Sequence, residues 1–454
     1  MDLYTFFFCF AALCVSYLIL GLRTSNQTTT QDAYLLSSRN IGPVALSLSI
    51  LATQLGGGTL MGAAQEAYHH GVAVLFYPLG STLGLFTLAI GLGKKWYQLN
   101  LCTLSELFER VYESPMLRKF SALLSILSLF LLLVGQGIAA RLFLTSIGID
   151  SPLVFWGFWT CLISYTVAGG LSAVIQTDVL QTLFILGALI LAFVSITCGL
   201  FPMDGIENNF SILQNIDISS VSMQKISWSN WLLLPFFFML IEQDMGQRCF
   251  AANSEKTVTR ASFFAASILF LATVFPIYVG IRAKATGLPL SENGSILIDA
   301  MTAWSSPQVS AVFSCAILMA IISTADSLLC SITSNISYDF PLSKYNLTEH
   351  SKVRLAQLAT LVIGILAMAL SSFCDSVLAI LMLAYELSVC LLLVPLLAAT
   401  FTQKLPMSAA TFSIIGAVIG YLAHFSLQIS AIWIALPLSL LGFLLGSRRK
   451  TVGK

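Results

Sequence analysis

The amino-acid sequence predicts an all-α polytopic membrane protein, and two observations on composition and hydropathy carry that prediction. Hydrophobic residues make up 57% of the 454 positions, whereas charged residues make up only 9%. Soluble domains carry about 25% charged residues, so a chain this poor in charge needs the bilayer as its solvent. Apolar runs long enough to cross a bilayer recur along the chain, which predicts about 13 transmembrane helices.

The predicted helices follow the apolar runs in chain order. They cover 3–22, 43–67, 72–93, 119–147, 151–169, 172–200, 227–247, 261–281, 308–336, 353–373, 375–401, 407–425 and 428–447. The first run follows Asp2 rather than a basic residue and has no clear cleavage site. It is therefore expected to be a retained helix and not a signal peptide.

The distribution of Lys and Arg predicts the orientation in the membrane. With the N-terminus outside, the cytoplasmic segments hold Arg248 and every other Lys and Arg except four. The exceptions are Arg141, Lys225, Arg282 and Lys284. This asymmetry follows the positive-inside rule, so we expect the N-terminus outside and the C-terminus inside.

Several classes of protein are excluded by what the chain carries. The net charge is +1 and no basic face is available for phosphate, which argues against a nucleic-acid partner. The sequence shows no nucleophile–base pair, metal-ligand spacing or nucleotide loop, so neither an enzyme nor an organic cofactor is expected. A carrier, a channel and a membrane solute sensor remain, and the clustering of polar groups at one depth favours the carrier.

Three consecutive glycines, Gly56–Gly58, interrupt the apolar run that starts near residue 43. Each glycine in a helix interior costs about 1 kcal/mol relative to alanine, so the helix is expected to unwind here. Unwinding frees backbone carbonyls, which need partners inside a membrane. Such discontinuous helices are typical of ion and solute sites in secondary transporters, and a monovalent cation suits the freed carbonyls.

A stripe of small and hydroxyl-bearing residues offers further oxygen ligands on a later helix. Ala320, Ser323, Thr324 and Ser327 recur at the spacing of one helical face. Acidic residues also fall in or near the predicted spans: Glu66, Asp178, Glu242, Asp244, Asp326 and Glu386. A carboxylate at membrane depth is costly, so each is a candidate functional group.

Five stretches resemble conserved parts of the sodium/solute symporter family, which includes sodium/sugar, proline, pantothenate, choline and sialic acid transporters. They are ATQLGGGTLMG (52–62), VAGGLSAVIQTDVLQ (167–181), EQDMGQRCFAA (242–252), STADSLLCS (323–331) and VPLLAATF (394–401). With the hydropathy pattern, the resemblance covers essentially the whole chain.

The resemblance implies a LeuT-type fold within one transporter domain, 1–454. Two inverted five-helix repeats are expected at 43–200 and 227–401, with an extra helix at 3–22 and two helices at 407–447. It also implies sodium-coupled uptake of a small organic solute by alternating access. We expect a protein of the bacterial inner membrane that functions as a monomer, with Na⁺, a solute and the lipid bilayer as partners.

The resemblance also implies two ion sites. The residues expected to bind sodium are Ala52, Leu55 and Ala320 through their carbonyls, and Ser323 and Thr324 through their hydroxyls. The positions matching a possible second cation site are Asp178, Ser323, Asp326 and Ser327. Because a carboxylate stands at residue 326, a proton or a structural role fits that second site as well.

Substrate is expected beside the glycine break. The positions matching family solute contacts are Gln54, Gly57, Thr59, Glu242, Gln243 and Glu386. The proline permeases carry an aspartate where this chain has Gln54, which argues against simple proline transport. The acidic and aromatic residues favour an amine or amino-acid-like solute, with a sugar or carboxylate as the alternative.

Overall fold

The computed structural model describes residues 1–25, 30–198, 228–289, 294–340 and 348–448. The α-helices in these ranges, numbered in chain order, are α1 Leu3–Ser25, α2 Gln31–Leu36, α3 Pro43–Gln54, α4 Ala63–His70, α5 Phe76–Thr87, α6 Gly93–Leu99, α7 Glu106–Tyr112, α8 Pro115–Ser146, α9 Pro152–Cys198, α10 Trp228–Met239, α11 Gln243–Ala251, α12 Glu255–Ala285, α13 Ile296–Trp304, α14 Pro307–Ser334, α15 Glu349–Ser371, α16 Val377–Phe401, α17 Met407–Leu427 and α18 Ala431–Arg448. The predicted all-α membrane fold is confirmed.

The membrane-spanning helices agree with the hydropathy prediction in kind. In the described part of the chain, 10 helical stretches are long and apolar enough to cross a bilayer. Two of them, Gly58–Leu99 and Pro152–Thr197, contain 42 and 46 residues, about twice what one crossing requires. The total of about 13 helices stays a prediction, and the predicted helix ends at 199–200 and 227 lie outside the described residues.

The longest helix, α9, folds back on itself at Gly170, where φ is +56°. Before the turn, Tyr165 donates a hydrogen bond to Asp326. After the turn, Asp178 shares one guanidinium group with Ser327, the next residue along from Asp326. A straight helix would hold residues 165 and 178 about 20 Å apart. The chain therefore reverses here, in agreement with the two separate spans predicted on either side.

The first core helix is broken where the sequence predicted a break. Helix α3 ends at Gln54, and Leu55 leaves the helical region with φ −88° and ψ +43°. The chain resumes as a π-helix over Gly58–Gly62 and continues into α4. The carbonyls of the last turn of α3 are consequently left without partners on their own helix.

The glycine triplet itself is required by close packing. None of the three glycines has a positive φ, so left-handed backbone is not the reason for them. A Cβ atom at Gly56 would lie 2.5 Å from Thr324 Oγ1, and one at Gly57 would lie 2.4 Å from the Cβ of Ala139. One at Gly58 would lie 2.3 Å from a methyl carbon of Leu381. Each glycine therefore allows a different neighbouring side chain to pack closely against the broken segment.

A second break lies between α10 and α11. The chain leaves helical hydrogen bonding at 240–242, and Glu242 is extended, with φ −71° and ψ +123°. The helix predicted at 227–247 is therefore interrupted, and α11 extends past its predicted end to Ala251. Asp244 in the first turn of α11 complements the helix N-terminus and helps a new helix to start here.

Helix α14 lies at the centre of the bundle. In its most apolar 18-residue window 94% of the residues are buried, against 28% in α17 and in α18. It packs against both α8 and α9 and also contacts α3. The hydroxyl stripe of α14 therefore faces protein, and its Ser and Thr side chains need partners within the fold.

One end of the bundle is held together by an ionic and hydrogen-bonded cluster. Arg118 at the start of α8 forms an ion pair of 2.7 Å with Asp339, which follows α14. Thr103 donates to the same carboxylate oxygen at 2.7 Å. Nearby, the hydroxyl of Tyr112 donates to the carbonyl of Pro395 in α16 at 2.6 Å. We call the end of the molecule that contains Arg118 and its partners the basic end.

Candidate functional site

The carbonyls freed at the end of α3 meet the hydroxyls of α14. Ser323 Oγ lies 3.1 Å from the carbonyl oxygens of both Ala52 and Ala320. Thr324 Oγ1 lies 2.9 Å from the carbonyl of Thr53, 3.2 Å from that of Ala320 and 3.5 Å from that of Ala52. The two hydroxyls thus satisfy backbone groups that the break would otherwise leave unpaired.

This cluster has the chemistry of a site for a hard monovalent cation. Carbonyl and hydroxyl oxygens suit hard cations, and the carbonyl of Thr53 is a candidate that the sequence-based set did not contain. Of that set, the structure brings together Ala52, Ala320, Ser323 and Thr324. Leu55 lies at the break, and its carbonyl is not among those that contact the two hydroxyls in the described chain.

A buried arginine lies beside this cluster. The sequence counts Arg248 among the cytoplasmic charges, and the structure buries its side chain, which is 0% exposed. The guanidinium forms an ion pair with Asp244 one turn earlier and donates to Ser327 Oγ at 2.6 Å. It also contacts Asp178 at 3.4 Å and Ser49 Oγ at 3.0 Å. A buried charge is tolerated only with such partners.

The four residues of the possible second cation site are close together, but Arg248 lies among them. Asp178 and Ser327 both contact its guanidinium. Asp326 accepts a hydrogen bond from Tyr165 through one oxygen, and its other oxygen has no protein partner among the described residues. At the possible second cation site, positive charge is therefore supplied at least in part by the side chain of Arg248.

The signal for the buried arginine was present in the sequence. Gln247 and Arg248 lie in the stretch 242–252 that resembles the family, yet the charge count treats Arg248 as part of a cytoplasmic segment. Both side chains instead point into the protein, and Gln247 donates to the carbonyl of Leu35 at 2.6 Å and to Ser334 Oγ at 2.7 Å. Counting Arg248 as a surface charge hid its role, because a charge count carries no information on burial.

A small cavity adjoins the break and the hydroxyl cluster. Its volume is about 30 Å³, enough for about two water molecules. The lining residues are Thr53, Gln54, Gly56, Gly58, Thr59, Tyr77, Leu132, Gln136, Glu242, Thr324, Leu328, Leu381 and Tyr385. Three of the predicted solute contacts, Gln54, Thr59 and Glu242, are therefore brought together.

Two polar residues of the lining, Gln136 and Tyr77, were not singled out by sequence reasoning as solute contacts. Gln136 of α8 accepts a hydrogen bond of 2.9 Å from the backbone N–H of Gly57. Tyr77 approaches Tyr385, one of the aromatic residues that favour an amine, with 3.4 Å between their hydroxyl oxygens. Neither Gln136 nor Tyr77 stands out from its apolar surroundings in the sequence, so only their convergence in the fold identifies them.

The structure does not bring the remaining predicted solute contacts into this lining. The amide of Gln243 binds backbone instead, accepting from the N–H of Leu104 at 2.8 Å. Glu386 lies on the other face of α16, near His424 of α17. Gly57 lies behind the lining, where Ala139 leaves no room for a side chain.

Comparison with known proteins identifies the family to which the chain belongs. A family model for the sodium:solute symporter family matches residues 34–420. Because that match covers most of the chain, the protein belongs to the sodium:solute symporter family, whose members use Na⁺ as the coupling ion. The curated relatives are transporters and not enzymes.

Individual relatives are distant but extend over most of the chain. The protein is 26% identical to a sodium/proline symporter of Salmonella typhimurium over 81% of this chain and 77% of the relative. It is 29% identical to a sodium/sialic acid symporter of Aliivibrio fischeri over 78% of this chain and 73% of the relative. These values show a shared family and leave the solute of this chain open.

A solved structure shows the same fold. The match is to a Na⁺-coupled sialic acid symporter in a substrate-bound outward-open state, with a TM-score of 0.78 and 20% identity. The alignment covers 98% of this chain and 96% of that one. The protein therefore has the LeuT-type fold that the resemblance implied.

Proposed function

We propose that the protein imports a small amine-like or amino-acid-like solute with sodium, by alternating access, across a bacterial inner membrane. The observation that carries the proposal is the position of Thr324, which contacts the carbonyls of the broken helix and also lines the cavity. Sodium binding at this cluster would therefore act directly on the wall of the solute site. A monomer is sufficient, since ion and solute sites lie within one chain.

The proposed sodium ligands are the carbonyls of Ala52 and Ala320 and the hydroxyls of Ser323 and Thr324, with Leu55 at the break. In the structure the two hydroxyls bind these carbonyls themselves. Sodium would replace those hydrogen bonds by coordination and join α14 to the broken helix more strongly. That joining would stabilise the solute site next to it, which is the coupling that symport requires.

Sodium entry supplies enough free energy for accumulation of a solute. A membrane potential of about 100 mV contributes roughly 2.3 kcal/mol per charge. A tenfold sodium gradient adds about 1.4 kcal/mol. The sum, about 3.7 kcal/mol, supports roughly several-hundred-fold accumulation of a neutral solute with one sodium ion.

One sodium ion per cycle is favoured by the buried arginine. A second sodium ion bound by Asp178 and Ser327 would have to compete with the guanidinium of Arg248 for the same oxygen atoms. The guanidinium of Arg248 thus occupies the place that a second sodium ion would need.

The inverted repeats at 43–200 and 227–401 and an orientation with the N-terminus outside complete the proposal. Each repeat contributes one helix break beside the cavity, at Leu55 and at Glu242. In this orientation the basic end faces the cytoplasm, and the contacts of Arg118 and Asp339 fasten that side. Release of solute to the cytoplasm would then require those contacts to separate.

The test is uptake into proteoliposomes, with sodium replaced by potassium, over amines, amino acids, sugars and carboxylates. We expect sodium-dependent accumulation of an amine or amino acid, with a Hill coefficient near one for sodium. The double variant Ser323→Ala, Thr324→Ala should lose sodium stimulation while it still inserts into the membrane. Uptake by that variant with unchanged sodium dependence would contradict the assigned ion site.

A further inference from the structure

The cavity contains a carboxylate that the protein leaves without a counter-charge. Glu242 is 4% exposed, and its Oε2 atom has no protein partner among the described residues. Among the described residues that line the cavity, Glu242 is the one with a charged side chain, and none is Lys, Arg or His. Burial of a carboxylate without a partner is costly, so the site is built for a group that arrives with the solute.

The nearest cation on the same helix is already committed. Arg248 binds Asp244 and Asp178 and donates to Ser49 and Ser327, so its donors are already occupied. Arg141, the other arginine placed at membrane depth by the sequence, serves backbone carbonyls at 372 and 374 and Asp375. Neither arginine is available to bind a carboxylate in the cavity.

The place where a carboxylate would bind most readily is also filled. A helix N-terminus binds anions through its free N–H groups, and the half-helix after the first break offers one at Gly57. That N–H donates to Gln136 Oε1 at 2.9 Å, so a side chain of α8 already caps it. A carboxylate on the solute would have to displace this amide.

The rest of the lining suits an organic cation. Tyr77 and Tyr385 lie next to each other at the cavity, and Phe238 packs behind the lining against Tyr385, with 4.5 Å between ring centroids and 37° between the ring planes. Aromatic faces attract ammonium groups. Leu132 and Leu381 supply apolar contact for the carbon skeleton.

From these contacts we infer that the recognised solute group is a cationic amine paired with Glu242, and that a carboxylate on the solute is not recognised. The inference rests on the proposed function and narrows it from amine or amino-acid-like solutes to amines. It also separates this chain from relatives whose names denote proline and sialic acid as solutes. Within this chain the inferred preference rests on Glu242 and Gln136 together.

The experiment uses matched triplets of an amino acid, the amine that lacks its carboxylate and the acid that lacks its amine. Suitable sets are proline, pyrrolidine and cyclopentanecarboxylate, and valine, isobutylamine and isovalerate. Thermal stabilisation of the purified protein in sodium reports binding, and proteoliposome uptake reports transport. We expect stabilisation and sodium-dependent uptake with an amine, at least as strong as with its amino acid, and neither with its acid.

Variants locate the effect at the site. Glu242→Gln should weaken amine binding by about thirtyfold or more, because a buried charge loses its partner. Glu242→Asp keeps the charge and should retain part of the binding, and Glu113→Gln is the control, since Glu113 is an exposed residue paired with Lys404. Gln136→Ala frees the N–H of Gly57 and should shift the preference from amines toward amino acids. The ratio of amine binding to amino-acid binding in this variant can be measured even if Glu242→Gln fails to fold.

The outcomes separate this inference from the function on which it rests. Sodium-dependent uptake of acids or sugars without any amine would overturn the amine inference and leave sodium symport intact. Binding of amino acids alone, or unchanged amine binding by Glu242→Gln, would also overturn it. An unmoved preference in Gln136→Ala would contradict the role given to the capped N–H. Absence of sodium-dependent uptake for every class would contradict both.

Discussion

Replacing Gly56 with alanine should impair sodium activation, because the added methyl group meets a proposed sodium ligand. The new Cβ would lie 2.5 Å from Thr324 Oγ1 and 3.1 Å from Gln136 Oε1, where ordinary contacts begin at 3.4 Å. Overpacking of this kind costs about 1–3 kcal/mol. Relief requires Thr324 to move away from the carbonyl of Thr53, which now lies 2.9 Å from its hydroxyl.

The magnitude follows from the loss of that hydroxyl as a ligand. Giving up a hydrogen bond of this type costs about 0.5–1.5 kcal/mol. A comparable loss in sodium binding lowers the affinity by up to about tenfold. We therefore expect the sodium concentration for half-maximal uptake to rise about two- to tenfold in Gly56→Ala.

Gly62 provides a matched control within the same broken helix. A Cβ at Gly62 would have its nearest neighbours at 3.9 Å, an ordinary contact. Gly62→Ala should leave sodium activation unchanged and stabilise the helix by up to about 1 kcal/mol. Equal losses in both variants, or normal sodium activation in Gly56→Ala, would refute the reasoning from close packing at Thr324.

Two further predictions concern the buried charges and the basic end. Arg248→Met leaves Asp178 buried without its cation, which should cost about 3–5 kcal/mol and appear as a lower midpoint in thermal unfolding; a variant as stable as the parent would contradict the network. Arg118→Ala should expose the buried thiol of Cys102 to maleimide, because it removes the cation that fixes Asp339, the carboxylate to which the neighbouring Thr103 donates. Lys404→Ala, which removes only an exposed pair, serves as control and should leave labelling of Cys102 slow.

Much of the ion site could be predicted from local pattern. The glycine triplet and the hydroxyl stripe at Ser323 and Thr324 are local features, each confined to one or two helical turns. The triplet predicts free backbone carbonyls, and the stripe supplies hydroxyl groups. Their pairing through Ala52 followed from the resemblance to a family, and the contacts have the expected partners. What the pattern missed was the reason for the glycines, since close approach depends on neighbours from other helices.

The solute site was less predictable, because its members come from separate helices. Gln54, Thr59 and Glu242 line the cavity as expected. Gln243 and Glu386 have the same chemical character but face other elements. A one-residue step rotates a helical side chain by about 100°, so the residue type alone does not decide which side faces the cavity.

Composition and helical periodicity were enough to predict the membrane helices, the break near the glycine triplet and the hydroxyl stripe at Ser323 and Thr324. These features depend on residues that lie close together in the chain. The packing of separate helices was needed to show that Arg248 is buried among carboxylates, that Gln136 caps the broken helix, and that Glu242 is left without a counter-charge. Those facts depend on which helices pack together, because burial and pairing of a charge are properties of its neighbours in space.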